Sequence, residues 1–246
     1  MTCKNCNHKI DGSYCSQCGQ STTVSRISFG SFLKELSSSV FQVDKGLLFS
    51  IKELFIRPGH SIKEYLSGKR KNHFKPIAYT FTLSTIYFLI SQLLEAPTFL
   101  NDAAEGFASE SNSSGVASGQ IDVLNWFAKN YAYTTLLLLP LYSFASYMAF
   151  NKSGLNYPEH FVLNAYITGQ QAIIYTLSAL LSLAITNKDL LATGTLIVSI
   201  SYAFFVFWQF FEGYSRIAAL LRFVLTYILF LLILLPVLFV VFYMVK

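Results

Sequence analysis

Charged residues are scarce: they make up 13% of the 246 residues, roughly half of the ~25% usual in a soluble domain. So little charge cannot cover a water-exposed surface, which excludes an ordinary dissolved globular enzyme. The long apolar runs carry no Asp, Glu, Lys or Arg near their centres, and this counts against ion-coupled transporters and proton pumps. Metalloprotease HExxH, hydrolase GxSxG, Walker and Rossmann patterns are absent, and the four histidines, His8, His60, His73 and His160, are scattered. No catalytic set for a hydrolase or intramembrane protease is visible. There is no cysteine beyond residue 18 and no apolar run before the first one. A secretory signal is therefore not expected, and the cysteines are expected on the reducing side, where metal ligation prevails over disulfides.

What is abundant is apolar sequence, 53% hydrophobic and 16% aromatic, and it comes in long runs. The expected fold is an all-α membrane protein with about five transmembrane helices, at about 76–94, 131–150, 161–185, 190–211 and 222–245. Runs of this length match a bilayer core of about 30 Å at 1.5 Å per residue. Pro76 suits a first helical turn, and Pro140 and Pro236 fall inside spans. Residues 95–120 are rich in Ser, Gly, Asn and acid, as in Asn112-Ser113-Ser114-Gly115, and read as a flexible loop, followed by a short amphipathic helix from Ile121 to Lys129. The stretches 151–160, 186–189 and 212–221 read as connections. No internal repeat is visible, and an odd span count argues against an inverted one.

Charge is uneven along the chain. Residues 1–75 hold 12 Lys/Arg against 5 Asp/Glu, a net of +7, and residues 95–130 hold 1 against 5, a net of −4. Basic flanks mark the cytoplasmic side, so the N-terminus is expected inside, the acidic loop outside and, after five spans, the C-terminus outside. The basic segment is interleaved with apolar residues at helical spacing, which suits a membrane surface better than nucleic acid, so no nucleic-acid partner is expected.

Two smaller units precede the bundle. Residues 1–20 contain Cys3-Lys-Asn-Cys6 and Cys15-Ser-Gln-Cys18, two CxxC pairs in a zinc-ribbon-like knuckle module. Four thiolates would fill a tetrahedral shell, so the expected cofactor is a structural Zn²⁺, with iron as the alternative. Asn7 and Gly19 can take the left-handed conformation that turns backbone N–H groups toward sulfur. Residues 26–75 read as basic, amphipathic cytoplasmic helices. The first carries Phe29, Phe32, Leu33, Leu36, Val40 and Phe41. The second is capped by Asp44, carries Leu47, Leu48, Ile51, Leu54 and Phe55, and is ended by Pro58-Gly59. The third carries Ile62, Tyr65 and Leu66 and is closed by Gly68.

Several of these residues carry a resemblance. The paired CxxC, Tyr14-Cys15-Ser-Gln-Cys18-Gly19-Gln20, Arg26-Ile27-Ser28, Arg57-Pro58-Gly59, Tyr65-Leu66-Ser-Gly68-Lys69-Arg70 and Pro76 together are similar to the bacterial DUF3667 family of polytopic membrane proteins. The resemblance covers about residues 1–80, and Pro158-Glu159-His160 resembles a later segment of it. It implies a zinc head on a membrane bundle in the bacterial inner membrane, and no activity.

Outside the cysteines, Arg57, Lys69, Arg70 and Lys71 are candidates for anionic lipid headgroups, a phosphate-bearing ligand or a protein partner, or simply the basic inner end of the first span. The polar residues Gln170, Gln171 and Gln209 could line a solute path, or bond between helices. Glu159, His160 and Glu212 could serve as acid, base or metal ligands if they converged. The expected role is a non-enzymatic interaction or assembly component whose partners are membrane lipids and another protein or a second copy. A small-solute or lipid transporter and a lipid-modifying enzyme are the alternatives.

Overall fold

The computed structural model describes residues 1–30, 46–94, 123, 126–127 and 130–244. The apolar stripe from Phe32 to Phe41, the Asp44 cap, the acidic loop 95–120 and most of the Ile121–Lys129 helix lie outside the described residues. Among the described residues the α-helices number seven: α1 Leu47–Ile56, α2 Pro58–Ser67, α3 Pro76–Leu93, α4 Tyr131–Ala149, α5 Tyr157–Leu181, α6 Lys188–Phe210 and α7 Arg216–Met244.

The five long helices α3 to α7 stand where hydropathy sets the spans, with three displaced boundaries. Helix α5 begins four residues before the expected Phe161 because Asn156 and Glu159 form a capping box, each side chain bonding the other's backbone N–H. It ends at Leu181, short of the expected Ile185. Helix α7 begins at Arg216 rather than Arg222, since Ile217 to Leu221 continue the helix. Pro58-Gly59 does end α1, but Pro58 also opens α2, where its missing N–H costs nothing. Gly68 closes α2 with φ 114°. The N–H of Lys69 returns to the Glu64 carbonyl at 2.9 Å, a Schellman closure that a residue with a Cβ would strain.

The bundle is held by buried small and polar contacts. Helix α5 is its axis, packed on α3, α4 and α6. Thr80 donates to the Ala165 carbonyl at 2.6 Å, Tyr166 to the Phe74 carbonyl at 2.6 Å and Tyr175 shares a 3.0 Å bond with Ser199. A bond of this kind between two helices contributes about 0.6 kcal/mol in an apolar surround. Gly169 lets the Tyr79 ring lie against the α5 backbone.

The outer faces are apolar. Leu221, Leu225, Leu232, Leu235 and Phe239 of α7, and Leu190, Ile197, Val198 and Phe205 of α6, are exposed. Among the described residues, two helices, Lys188–Phe210 and Arg216–Val241, are long and apolar enough to cross a membrane. Helices α3 and α4 are richer in Tyr, Ser and Thr, which they turn to their neighbours: Thr80, Ser84, Ser143 and Ser146 are all fully buried.

Candidate metal centre and its dock

The head is built twice from one pattern. Asn7 donates its N–H to the Cys3 carbonyl at 2.9 Å, and Gly19 donates to the Cys15 carbonyl at 2.8 Å. Cys3 donates to His8 at 2.9 Å and Cys15 to Gln20 at 2.8 Å. Single β-bridges, Thr2 to Lys9 and Tyr14 to Ser21, close the two loops. Asn7 and Gly19 have φ of 60° and 71°, as the sequence leads one to expect. Each position in one loop recurs twelve residues later in the other (Cys3 and Cys15, Asn7 and Gly19), so an internal repeat does exist. It escapes a sequence reading because only the cysteines are shared.

The loops face each other and bring the four sulfurs within 4.8 Å of one another. Cys3 Sγ lies 3.5 Å from Cys18 Sγ, and Cys6 Sγ lies 3.5 Å from Cys15 Sγ. A tetrahedral shell with bonds of about 2.3 Å places sulfurs about 3.8 Å apart, so this cluster could hold a metal ion with little adjustment. Two of the thiols are poised for it. The N–H of Cys18, helped by the N–H of Gln17 and against the opposing effect of burial, leaves Cys15 lowered to about 6, and the N–H of Cys6 is the main cause that lowers Cys3. Against the N–H of His8, which favours its thiolate, burial and the neighbouring sulfurs push Cys6 up to about 12. Four thiolates this close repel one another until a cation is placed between them.

The head is bolted to the helices. Gln20 is buried. Its Nε2 donates to the Gly68 carbonyl at 2.9 Å, and its Oε1 accepts from the N–H groups of Arg70 and Lys71 at 3.1 and 3.2 Å. The linker then crosses to α5. Arg26 grips Glu159 through two bonds of 2.7 Å and donates to the Gly154 carbonyl at 2.9 Å. Asn156 donates to the Ile27 carbonyl at 2.8 Å. A planar guanidinium on a carboxylate in this two-pronged geometry fixes orientation as well as energy.

The basic candidates divide. Arg57 pairs with Glu53 at 2.5 Å and Glu64 at 3.2 Å, and Lys69 pairs with Glu64 at 3.3 Å. This network lowers the Glu64 carboxyl, chiefly through Arg57. Arg70 donates to the Ser25 carbonyl at 2.9 Å and stacks over Tyr65. Arg70 and Lys71 have no ion-pair partner among the described residues.

The remaining polar candidates are bonded within the structure. Gln170 accepts from the Tyr79 hydroxyl and donates to the Ile51 carbonyl. Gln171 donates to the Ser199 carbonyl at 3.3 Å. Gln209 accepts the Gly59 N–H at 2.7 Å and so caps α2 from outside. A Cβ on Gly59 would run into the backbone of Gln209 and Phe210. Glu159, His160 and Glu212 engage different partners. Glu159 holds Arg26, Glu212 holds Lys63 at 2.6 Å and lies near His60, and buried His160 bonds Ser146 through Nδ1 at 3.0 Å.

Sequence reasoning missed three contributors. Gln20 and Arg26 lie in the recognised motifs but look like ordinary surface residues until their partners, 48 and 133 positions away, are known. Ser50 is the third, accepting the Phe74 N–H at 2.8 Å from a fully buried position. Polarity at an apolar helix face is the one sequence signal that marks it.

No curated protein and no solved structure matches the chain. A family model matches residues 44–88, which hold α1, α2, the loop that takes up Gln20 and most of α3. That family is described as a protein of unknown function, DUF3667, and it is the one the motifs resemble.

Proposed function

We propose that the chain is a non-enzymatic, five-span protein of the bacterial inner membrane whose cytoplasmic head is held by one structural Zn²⁺ and serves interaction or assembly. The observation that carries this reading is the dock: the cysteine head is fastened by Gln20 and Arg26 to the loop after α2 and to the start of α5. A metal that holds such a head shapes the cytoplasmic end of the bundle instead of reacting with a substrate, because all four tetrahedral positions are filled by protein sulfur. The apolar outer faces of α6 and α7 support lipid as their surround. The three glutamines weighed as a solute path are engaged in packing, and this favours the interaction reading over transport.

The test is metal content and its structural consequence. Elemental analysis of the purified chain should give one zinc per chain. Cys15→Ser/Cys18→Ser should abolish the zinc and release the head to protease while the spans stay folded, since a module this small has no core of its own. Metal-free wild-type protein, or a double variant with unchanged zinc, sinks the reading.

A further inference from the structure

The docked head and the loop after α2 enclose a cleft of about 710 Å³. Gly19 and Ser21 of the head form one wall, Arg70, Lys71 and Lys75 the other, and the rings of Phe49 and His73 line it as well. The cleft is strongly one-sided in charge: it has three permanent cations and no carboxylate in its described lining. Lys71 and Lys75 have no ion-pair partner among the described residues. The Lys71 side chain lies along Gly19, and its Cε and Nζ would both be 3.6 Å from a Cβ placed there. Its charge is therefore held over the head, against a glycine that offers no side chain. Lys75 is the N-cap of α3, so the cleft opens where the first span enters its apolar run.

We propose that this cleft binds a phosphate-bearing anion. The headgroup of an anionic membrane lipid and a soluble phosphate ester are its two sources. Clustered cations without a counter-charge repel one another, and a polyvalent anion relieves all three at once. The alternative basic residues are spent elsewhere, since Arg57 and Lys69 face Glu53 and Glu64. The site is composite: neither the head nor the loop closes it alone, so it exists only while the head is docked. The inference therefore rests on the metal-held dock proposed above.

The experiment uses the full chain purified in detergent, with bound lipid counted by native mass spectrometry in separate arms of phosphatidylglycerol and phosphatidylcholine. One phosphatidylglycerol should be retained in preference to phosphatidylcholine. Lys71→Ala/Lys75→Ala should weaken it roughly thirty-fold, about fivefold for each charge removed. Ser21→Glu, which places a carboxylate in the cleft from the head side, should weaken it too. The equal charge loss in Lys152→Ala/Lys188→Ala should leave it unchanged. Displacement of the lipid by millimolar inorganic phosphate assigns the soluble source, and its failure assigns the lipid. Removing the metal with a chelator should also release the lipid. If the cleft variants lose lipid while chelated protein keeps it, the cleft stands and the metal-held dock fails. If the cleft variants bind like the wild type, or no lipid charge preference exists, the proposal is overturned.

Discussion

At the scale of single residues, the dock depends on a few groups that are each satisfied once. Gln20 makes three hydrogen bonds from a buried position to Gly68, Arg70 and Lys71. An apolar replacement leaves three backbone groups of a tight turn without partners, a loss of about 1–3 kcal/mol when such groups stay dry. Gln20→Ala should therefore keep its zinc, because no sulfur moves, yet cleavage in the Ser21–Ser25 linker should rise at least about fivefold, following the population of the undocked state. Linker proteolysis alongside zinc content measures both. Unchanged cleavage would mean that Arg26 alone carries the dock. The four-cysteine cluster was legible in the sequence, because CxxC spacing encodes geometry within four residues. Gln20 and Arg26 were legible only as motif letters, because their roles depend on partners that the fold brings from far away.

At the scale of elements, the loop between α2 and α3 is the hinge of the arrangement, and His73 sits at its centre. The ring lies edge-on to Phe49 at 5.3 Å and to Tyr65 at 6.0 Å. Burial, the largest influence, lowers its pKa below 6.5. A depressed pKa means that the folded state binds the proton less well than the unfolded chain. The stability it contributes is then complete above 6.5 and is lost as pH falls from there toward the folded value. Thermal unfolding of the purified protein should show a midpoint that drops between pH 7 and pH 5, and His73→Phe should flatten that drop while keeping the aromatic contacts. An equal drop in both proteins would mean that other groups carry the acid sensitivity. Helix placement was legible from the apolar runs; the boundaries were less so. The start of α5 was missed because its capping box, Asn156 with Glu159, lies in what reads as a polar loop. The start of α7 was missed because Arg216 and Arg222 resemble span-flanking charges, although a helix tolerates both.

At the scale of the whole molecule, the two ends of the bundle have different chemistry, and this sets how it should sit in a membrane. The head, α1, α2 and the Arg26–Glu159 bond gather at one end. That end holds most of the surplus positive charge, since the described residues 1–30 and 46–75 carry 10 Lys/Arg against 3 Asp/Glu. The segment 95–130 carries 1 against 5 and follows α3, at the opposite end if α3 crosses. The contact between Arg26 and Glu159 ties residues 26 and 159 to one side, so an even number of crossings must separate them. Helices α3 and α4 are the two long helices in that interval. The same reasoning links Gly59 to Gln209 across α3, α4, α5 and α6, again an even number. Both constraints are met if all four helices cross, and charge asymmetry then puts the shared side in the cytoplasm. Reporter fusions after Lys75 and within Lys152–Gly154 should accordingly read as cytoplasmic, whereas fusions near Ser113 and after Asn187 should read as external. A cytoplasmic signal near Ser113 would mean that α3 does not cross, and the pairing of residues 26 and 159 would then require α4 to stay on the same side as well.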